Sequence, residues 1–291
     1  MRRVWVTGAA GLLGAELMPY LAARGWEASA APGRMRDGQS VDLTDATSHW
    51  RELDAASPDV ILNLAALTDV DYCESHPQDA FRVNAGLVSG IAQWIAARGS
   101  ATRLVHISTD QVYDGAGPHD ESRISPMNYY AYSKCLAEAY VAQVGGTSLR
   151  SNFFGRSRVP GRASFSDWIV NSLRAKRDIT VFDDALFSPL SLATLVAAIE
   201  RTLAIPAAGT FNLGARDGMS KADFAFRLAT AAGLPLAHLK RSSMDSMARA
   251  ARRPRDMRMN SSRFFEVFGG ERAELTTEID RVGGEYRNEA S

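Results

Sequence analysis

The sequence has only two cysteines in 291 residues, Cys73 and Cys135, far apart and without histidines at ligand spacing. A disulfide framework is thereby excluded, and no metal-site pattern is present. Neither sign of charge prevails, with 33 Lys+Arg against 33 Asp+Glu, so no net field draws the chain to nucleic acid or to an anionic membrane. No run approaches the ~20 apolar residues that cross a bilayer, and repeats and low-complexity tracts are missing. Met1-Arg2-Arg3 and the apolar residues after it resemble a secretory leader only faintly. The would-be apolar core is broken at Thr7, Gly8, Gly11 and Gly14, then at Glu16 and Pro19. The expectation is a soluble, cytoplasmic protein. With 46% hydrophobic residues, the chain has enough apolar material for one big domain or two unequal lobes.

What is present begins at Val4-Trp5-Val6-Thr7-Gly8-Ala9-Ala10-Gly11-Leu12-Leu13-Gly14. An apolar run leads into glycines three apart, and Leu13, Leu17, Met18 and Leu21 then recur at helical spacing. Strand, tight turn and helix in that order suit a dinucleotide pyrophosphate: glycines let the backbone approach it, and the helix N-terminus offers N–H groups and a positive dipole end. Glycine spacing alone is also met by a ligand-free turn; the flanking strand and helix favour the cofactor. Further strands are predicted at 26–31, 40–43, 60–66, 104–108 and 147–151. Between them stand a helix capped by Thr44 or Asp45, a long helix starting near Pro77, and a helix at 129–144. This alternation specifies an α/β fold with a doubly wound parallel sheet. After Ser151 it fails. Helices at 164–176, 191–203 and 221–232, with strands at 179–182 and 209–214, predict a smaller C-terminal lobe. The expected division is a dinucleotide-binding domain over 1–150 and a mainly substrate-binding lobe over 151–291. Elements near 183–215 are expected to return to the first domain.

Tyr130 and Lys134 lie four apart in the 129–144 helix and so share a face. A tyrosine with a pKa near 10 exchanges protons poorly at neutrality, and an adjacent ammonium is expected to lower that value. Ser108-Thr109-Asp110 ends the preceding strand, at the sheet edge that binds ligands. A hydroxyl there is placed to meet a substrate carbonyl beside Tyr130, although Thr109 and Asp110 are equally suited to capping a loop.

Together these motifs resemble the extended short-chain dehydrogenase/reductases, and within them the dTDP-4-dehydrorhamnose reductase (RmlD-like) group. The likeness rests on TGAAGLLG at 7–14, DLTD at 42–45, PDVILNLAALTDVDYCE at 58–74, VN at 83–84 and ISTDQVYDG at 107–115. It continues through YAYSK at 130–134, LRSNFFG at 149–155, FSPL at 187–190, FNLGARDGMSKADFA at 211–225 and RPRDMRMNSSRF at 253–264. The resemblance implies a Rossmann domain in which Gly8, Gly11 and Gly14 cradle the pyrophosphate with Leu12 and Leu13 at the helix start. Asp42 and Leu43 flank the adenine, and Ala65, Ala66 and Thr68 line the ribose and nicotinamide side. It implies Thr109, Tyr130 and Lys134 as the catalytic set, with Tyr130 and Lys134 also touching the cofactor. Asp110, Asn152, Phe187 and Ser188 would face the sugar nucleotide, and Arg253 its diphosphate. The chain departs from the group at Asn152-Phe153-Phe154, where rhamnose-forming members carry a tryptophan. It departs again at Gln111, usually tyrosine, and at Leu190, often threonine. These departures leave the reductase machinery intact and bear on which sugar is recognised.

NADP(H) is the expected cofactor, with NAD(H) possible: the region past the glycine turn holds Arg34 and Arg36 for a 2′-phosphate and no acid before Asp37. The basic stretch 240–258 lacks interleaved aromatics for base stacking and reads as a solvated face with one or two diphosphate contacts. His106, inside an apolar strand, reads as core. The function implied is reduction of a nucleotide-linked 4-keto-6-deoxy sugar. The alternatives are an epimerase or dehydratase of the same superfamily, or a non-catalytic NADP-binding regulatory subunit such as that of methionine adenosyltransferase. The expected partners are the nucleotide sugar and, in a homodimer, a second copy of the chain.

Overall fold

The computed structural model describes residues 2–32, 45–99 and 101–288. The strand expected at 40–43 and the residues Arg34, Arg36, Asp37, Asp42 and Leu43 lie outside them. Six strands form the main sheet: β1 (Arg3–Thr7), β2 (Glu27–Ala30), β3 (Val60–Asn63), β4 (Arg103–Thr109), β5 (Thr147–Ser151) and β6 (Gly209–Leu213). Their order is β6-β5-β4-β3-β1-β2, and every neighbouring pair is parallel. From β1 the chain moves to one side for β2 and returns to the other side for β3. The order therefore reverses at β1, and a crevice opens there beyond the strand ends.

Strand periodicity divides the core between the two faces of the sheet. Val4, Val6 and Leu62 face Leu17 and Leu21 of α1 (Leu12–Ala23) and Leu195 and Ile199 of the late helix Leu192–Ala204. Trp5, Ile61 and Leu104 face the other layer: Leu53 of α2 (Ala46–Ala56), Val88, Ile91 and Trp94 of α3 (Leu87–Arg98), and Val141 of α4 (Tyr129–Gln143). Helices α5 (Phe165–Arg174), α6 (Leu192–Ala204), α7 (Lys221–Ala231) and α8 (Leu275–Asn288) follow. The later chain adds three two-stranded pieces, pairing Phe153–Phe154 with Leu190–Ser191, Ile179–Phe182 with Leu239–Ser242, and Leu186–Phe187 with Met219–Ser220. Phe154, Phe165, Phe187 and Phe224 pack ring on ring beneath them.

Two elements differ from the sequence expectation, and both differences shape the crevice. The strand expected to run to Ala66 stops at Asn63, because Thr7 Oγ1 accepts the Ala65 N–H at 3.2 Å and donates to Asn63 Oδ1 at 2.5 Å. Leu64–Ala66 is thus pulled toward the turn after β1. The long helix expected from Pro77 is interrupted by a π-helical turn at Arg82–Gly86. Asn84 in that turn accepts from Leu67 N at 2.7 Å and donates to Leu67 O and to Ser133 Oγ. One side chain so fixes the 67–68 loop against α4, and π-helical turns recur where a helix must aim such a group.

Candidate active site

At the crevice, Gly8 has φ +68 and faces the backbone of Ala65, whose nitrogen would lie 2.8 Å from a Cβ. Gly14 faces Ala9, whose carbonyl oxygen would lie 2.4 Å from one. The turn is thus closed by its own backbone, and only glycine fits at either point. Gly11 caps α1 without any side-chain hydrogen bond, and the first turn carries no acidic residue. The leading N–H groups of α1 therefore open onto a cavity of about 480 Å³ lined by Gly8, Gly11, Leu12, Leu13 and Gly14. An anion such as a dinucleotide pyrophosphate fits there. Ala66 and Thr68 line the same cavity. Ala65 packs behind them against Gly8.

The far end of this cavity holds Thr109, Asp110, Tyr130 and Lys134. Thr109 ends β4, and Asn128 caps α4 by accepting the Ala131 N–H at 2.9 Å, which sets Tyr130 and Lys134 in its first two turns. Tyr130 is almost wholly buried, with the Thr109 side chain as its hydrogen-bonding neighbour. Burial pushes its phenol up to about 12, opposed by the Thr109 bond and reinforced by the charge of Asp110. Lys134 Nζ donates to the Ile107 carbonyl at 2.7 Å, and burial pulls its pKa down to about 7 against the pull of Glu138. The expectation of a tyrosine lowered by the adjacent ammonium is corrected: Lys134 does not act on the phenol, burial and the Asp110 charge raise its pKa, and Tyr130 keeps its proton at neutral pH. Such a group is a proton donor.

Asp110 is buried, and burial raises its pKa to about 6, with the Asn152 bond and the charge of Lys221 acting the other way. Asn152 Nδ2 donates to Asp110 Oδ2 at 2.7 Å and lines both this cavity and a second one of about 170 Å³. The second cavity brings together Lys221, Arg249 and Arg253 with Phe165, Trp168 and Phe182. Arg253 also pairs with Asp71 at 2.9 Å. Phe187 and Ser188 are not brought to either cavity. Phe187 is buried in the aromatic cluster, and the buried Ser188 hydroxyl accepts the Met259 N–H at 3.1 Å. Most of the basic stretch meets carboxylates: Lys240 with Asp178, Arg241 with Asp183 and Asp223, Arg255 with Asp184 and Asp245, and Arg258 with Asp256. His106 is core, its Nδ1 against Asn63 Nδ2 at 2.8 Å.

Several residues escaped the sequence reading. Lys221 opens α7 and lies 5.7 and 5.8 Å from the ring centres of Phe165 and Phe187. Arg249 lies over Phe182, and Trp168 is 40% exposed on the wall of the second cavity. Arg162 reaches the glycine turn from the later chain, its Nη1 3.9 Å from where a Cβ on Gly11 would stand. None of them carries a spacing signal, since each comes from a different segment. Lys221, in the 211–225 motif, and Asn84, in the 83–84 motif, stood inside quoted motifs without being singled out.

A parallel sheet reversing at β1, a glycine turn under its crevice and a Tyr-x-x-x-Lys helix beside a strand-end threonine define an extended short-chain dehydrogenase/reductase. The chain matches the family described as RmlD substrate binding domain over residues 1–288 and belongs to it. It is an oxidoreductase of that family. Among its relatives is a probable low-salt glycan biosynthesis reductase of Haloferax volcanii, 29% identical and covering 86% of this chain and 87% of its own. The dTDP-4-dehydrorhamnose reductase of Sinorhizobium fredii is 32% identical over 64% of this chain and 65% of its own. The beta subunit of methionine adenosyltransferase 2 from Bos taurus is 28% identical over 93% and 84%. Among solved structures, a hypothetical dTDP-4-dehydrorhamnose reductase of Sulfolobus tokodaii superposes with a TM-score of 0.80 at 29% identity, covering 94% and 98%. The dTDP-4-dehydrorhamnose reductase of Bacillus anthracis in complex with NADP, at 24% identity, shares the fold with a TM-score of 0.87 over 98% and 100%.

Proposed function

We propose that this chain reduces the keto group of a nucleotide-linked 4-keto-6-deoxy sugar with NADPH. The observation that carries the reading is the convergence of Thr109, Tyr130 and Lys134 in a cavity that runs from an anion-ready glycine turn to a cationic, aromatic neighbour. Gly8, Gly11 and Gly14, with the open N–H groups of α1 and with Arg162, would hold the cofactor's pyrophosphate. Ala66, Thr68 and Lys134 would hold its nicotinamide side, and Arg34, Asp42 and Leu43 its adenosine end. When bound, the nicotinamide supplies the hydride. Thr109 would orient the substrate carbonyl, and Tyr130, protonated at neutral pH, would give its proton to the oxygen as the carbon is reduced. Lys221, Arg249 and Arg253 would meet the diphosphate, Trp168 and Phe165 the apolar remainder, and Asp110 and Asn152 the sugar. On this reading residues 1–150 bind the cofactor and 151–291 mainly the substrate.

The test is NADPH oxidation with dTDP-4-dehydrorhamnose and its UDP and GDP counterparts, in wild type and Tyr130→Phe. At least one should be reduced, and the variant should lose about 10²- to 10⁴-fold in turnover while NADPH affinity stays unchanged. Near-normal turnover in the variant, or none in wild type with any of the three, overturns the reading.

A further inference from the structure

Gln111 follows Thr109 and Asp110 in the turn that closes β4, and its N–H donates to Thr109 Oγ1 at 3.2 Å. Its side-chain carbonyl oxygen, Oε1, is enclosed and accepts no hydrogen bond. A buried acceptor without a donor is unfavourable to the fold and calls for a reason. His106 Nε2 and Ser148 Oγ share that condition, but they occupy paired positions of β4 and β5 inside the sheet. Gln111, in contrast, lines both cavities of the site. Asn152 shares that boundary, but its amide nitrogen donates to Asp110 and its oxygen is not enclosed as that of Gln111 is. Among the described residues lining both cavities, Gln111 therefore holds the enclosed acceptor without a donor, at the neck between the catalytic threonine and the cationic cavity.

A substrate with its carbonyl at Thr109 and its diphosphate at Lys221 and Arg253 must pass its sugar ring through this neck. A ring hydroxyl supplies the missing donor once the Gln111 amide turns toward it, whereas a deoxygenated carbon leaves Oε1 unfilled. We propose that Gln111 Oε1 accepts a hydrogen bond from the ring hydroxyl next to the carbonyl being reduced, and so makes the enzyme select hydroxylated over deoxygenated keto sugars. This rests on the function proposed above.

The test compares wild type, Gln111→Met and Gln111→Glu. The substrates are the fastest-reduced of the three sugar nucleotides above and its analogue lacking the 3-hydroxyl. Wild type should favour the hydroxylated sugar by about tenfold or more in kcat/KM. The methionine variant should lose about 10- to 100-fold on that sugar and little on the analogue, so that the preference collapses. The glutamate variant keeps an acceptor and should keep the preference. Unchanged NADPH affinity, followed by nicotinamide fluorescence, shows that both variants are folded. An intact preference in Gln111→Met, or an equal loss on both sugars, overturns the role of Gln111. No turnover by wild type on any of the three sugars overturns the parent function, and the inference falls with it.

Discussion

At the level of single residues, the site is governed by desolvation. Tyr130, Lys134 and Asp110 are all enclosed, and each is shifted toward its neutral form: the phenol to about 12, the ammonium to about 7 and the carboxyl to about 6. The four-residue spacing of Tyr130 and Lys134 was legible because a helix makes such neighbours regardless of context. The depth of burial was not, since it is set by Asn84, Thr109 and the later lobe. Asp110 makes the cost measurable. Its carboxyl binds a proton more tightly in the folded state, at about 6, than its ordinary value of 3.8. The native state therefore loses relative stability as pH rises from about 4 to about 6. Asp110→Asn keeps the shape and removes the titration. The stability of wild type relative to this variant should fall by about 2–3 kcal/mol across that window, read by urea denaturation at a series of pH values. A difference that is flat, or that rises with pH, would show Asp110 to be stabilised as an anion by Lys221 instead.

At the level of elements, the glycine turn and the strand–helix alternation of a parallel sheet were the most legible parts of the chain. Val4-Trp5-Val6 is apolar without alternation because both sheet faces are covered, and such a run announces a central parallel strand. The sequence reading overran β3 because Leu64, Ala65 and Ala66 are as apolar as the strand itself. What ends the strand is a hydroxyl 56 residues away, Thr7 on Asn63, and no local pattern reports it. The second cavity was illegible for the same reason, since Lys221, Trp168 and Arg249 meet only after folding. The turn itself allows a sharp comparison. An alanine at Gly14 drives its Cβ into the Ala9 backbone, and one at Gly8 meets Ala65 in a left-handed conformation. Each should cost about 3 kcal/mol or more and weaken NADPH binding as the turn shifts. Gly25 also has positive φ, but its Cβ would stand in open space, so Gly25→Ala should cost only about 1–2 kcal/mol and leave the cofactor untouched. Thermal denaturation with and without NADPH separates the cases, and a Gly14→Ala protein as stable as Gly25→Ala would refute the close packing.

For the whole molecule, what matters is how the later chain is tied to the catalytic helix. The Asn128 side chain caps α4 and also donates to the Arg252 carbonyl at 2.9 Å. Asp71 accepts from Ala251 N at 3.0 Å and from Arg253 Nη2 at 2.9 Å. Segment 251–253 therefore holds the cationic cavity in register with Tyr130, and Arg253 stands in two relations at once, to Asp71 and to the cavity. A purely structural Arg253 and a diphosphate-binding one behave alike when truncated, so Arg253→Ala alone does not separate them. Asp71→Asn does. It removes the opposing charge and leaves the guanidinium free to meet an anion, while asparagine retains an acceptor for the Ala251 N–H. If Arg253 serves the diphosphate, Arg253→Ala should weaken dTDP binding to the NADPH complex by about 10- to 100-fold, the worth of a charge-assisted hydrogen bond. Asp71→Asn should then bind dTDP as tightly as wild type or more so, having lost a competing carboxylate. Turnover should fall in Arg253→Ala along with affinity, because the remote end of the substrate holds the carbonyl against Thr109 and Tyr130. Equal losses of dTDP affinity in the two variants, measured by calorimetry, would make Arg253 a tie between the two parts of the chain and leave Lys221 and Arg249 to carry the diphosphate.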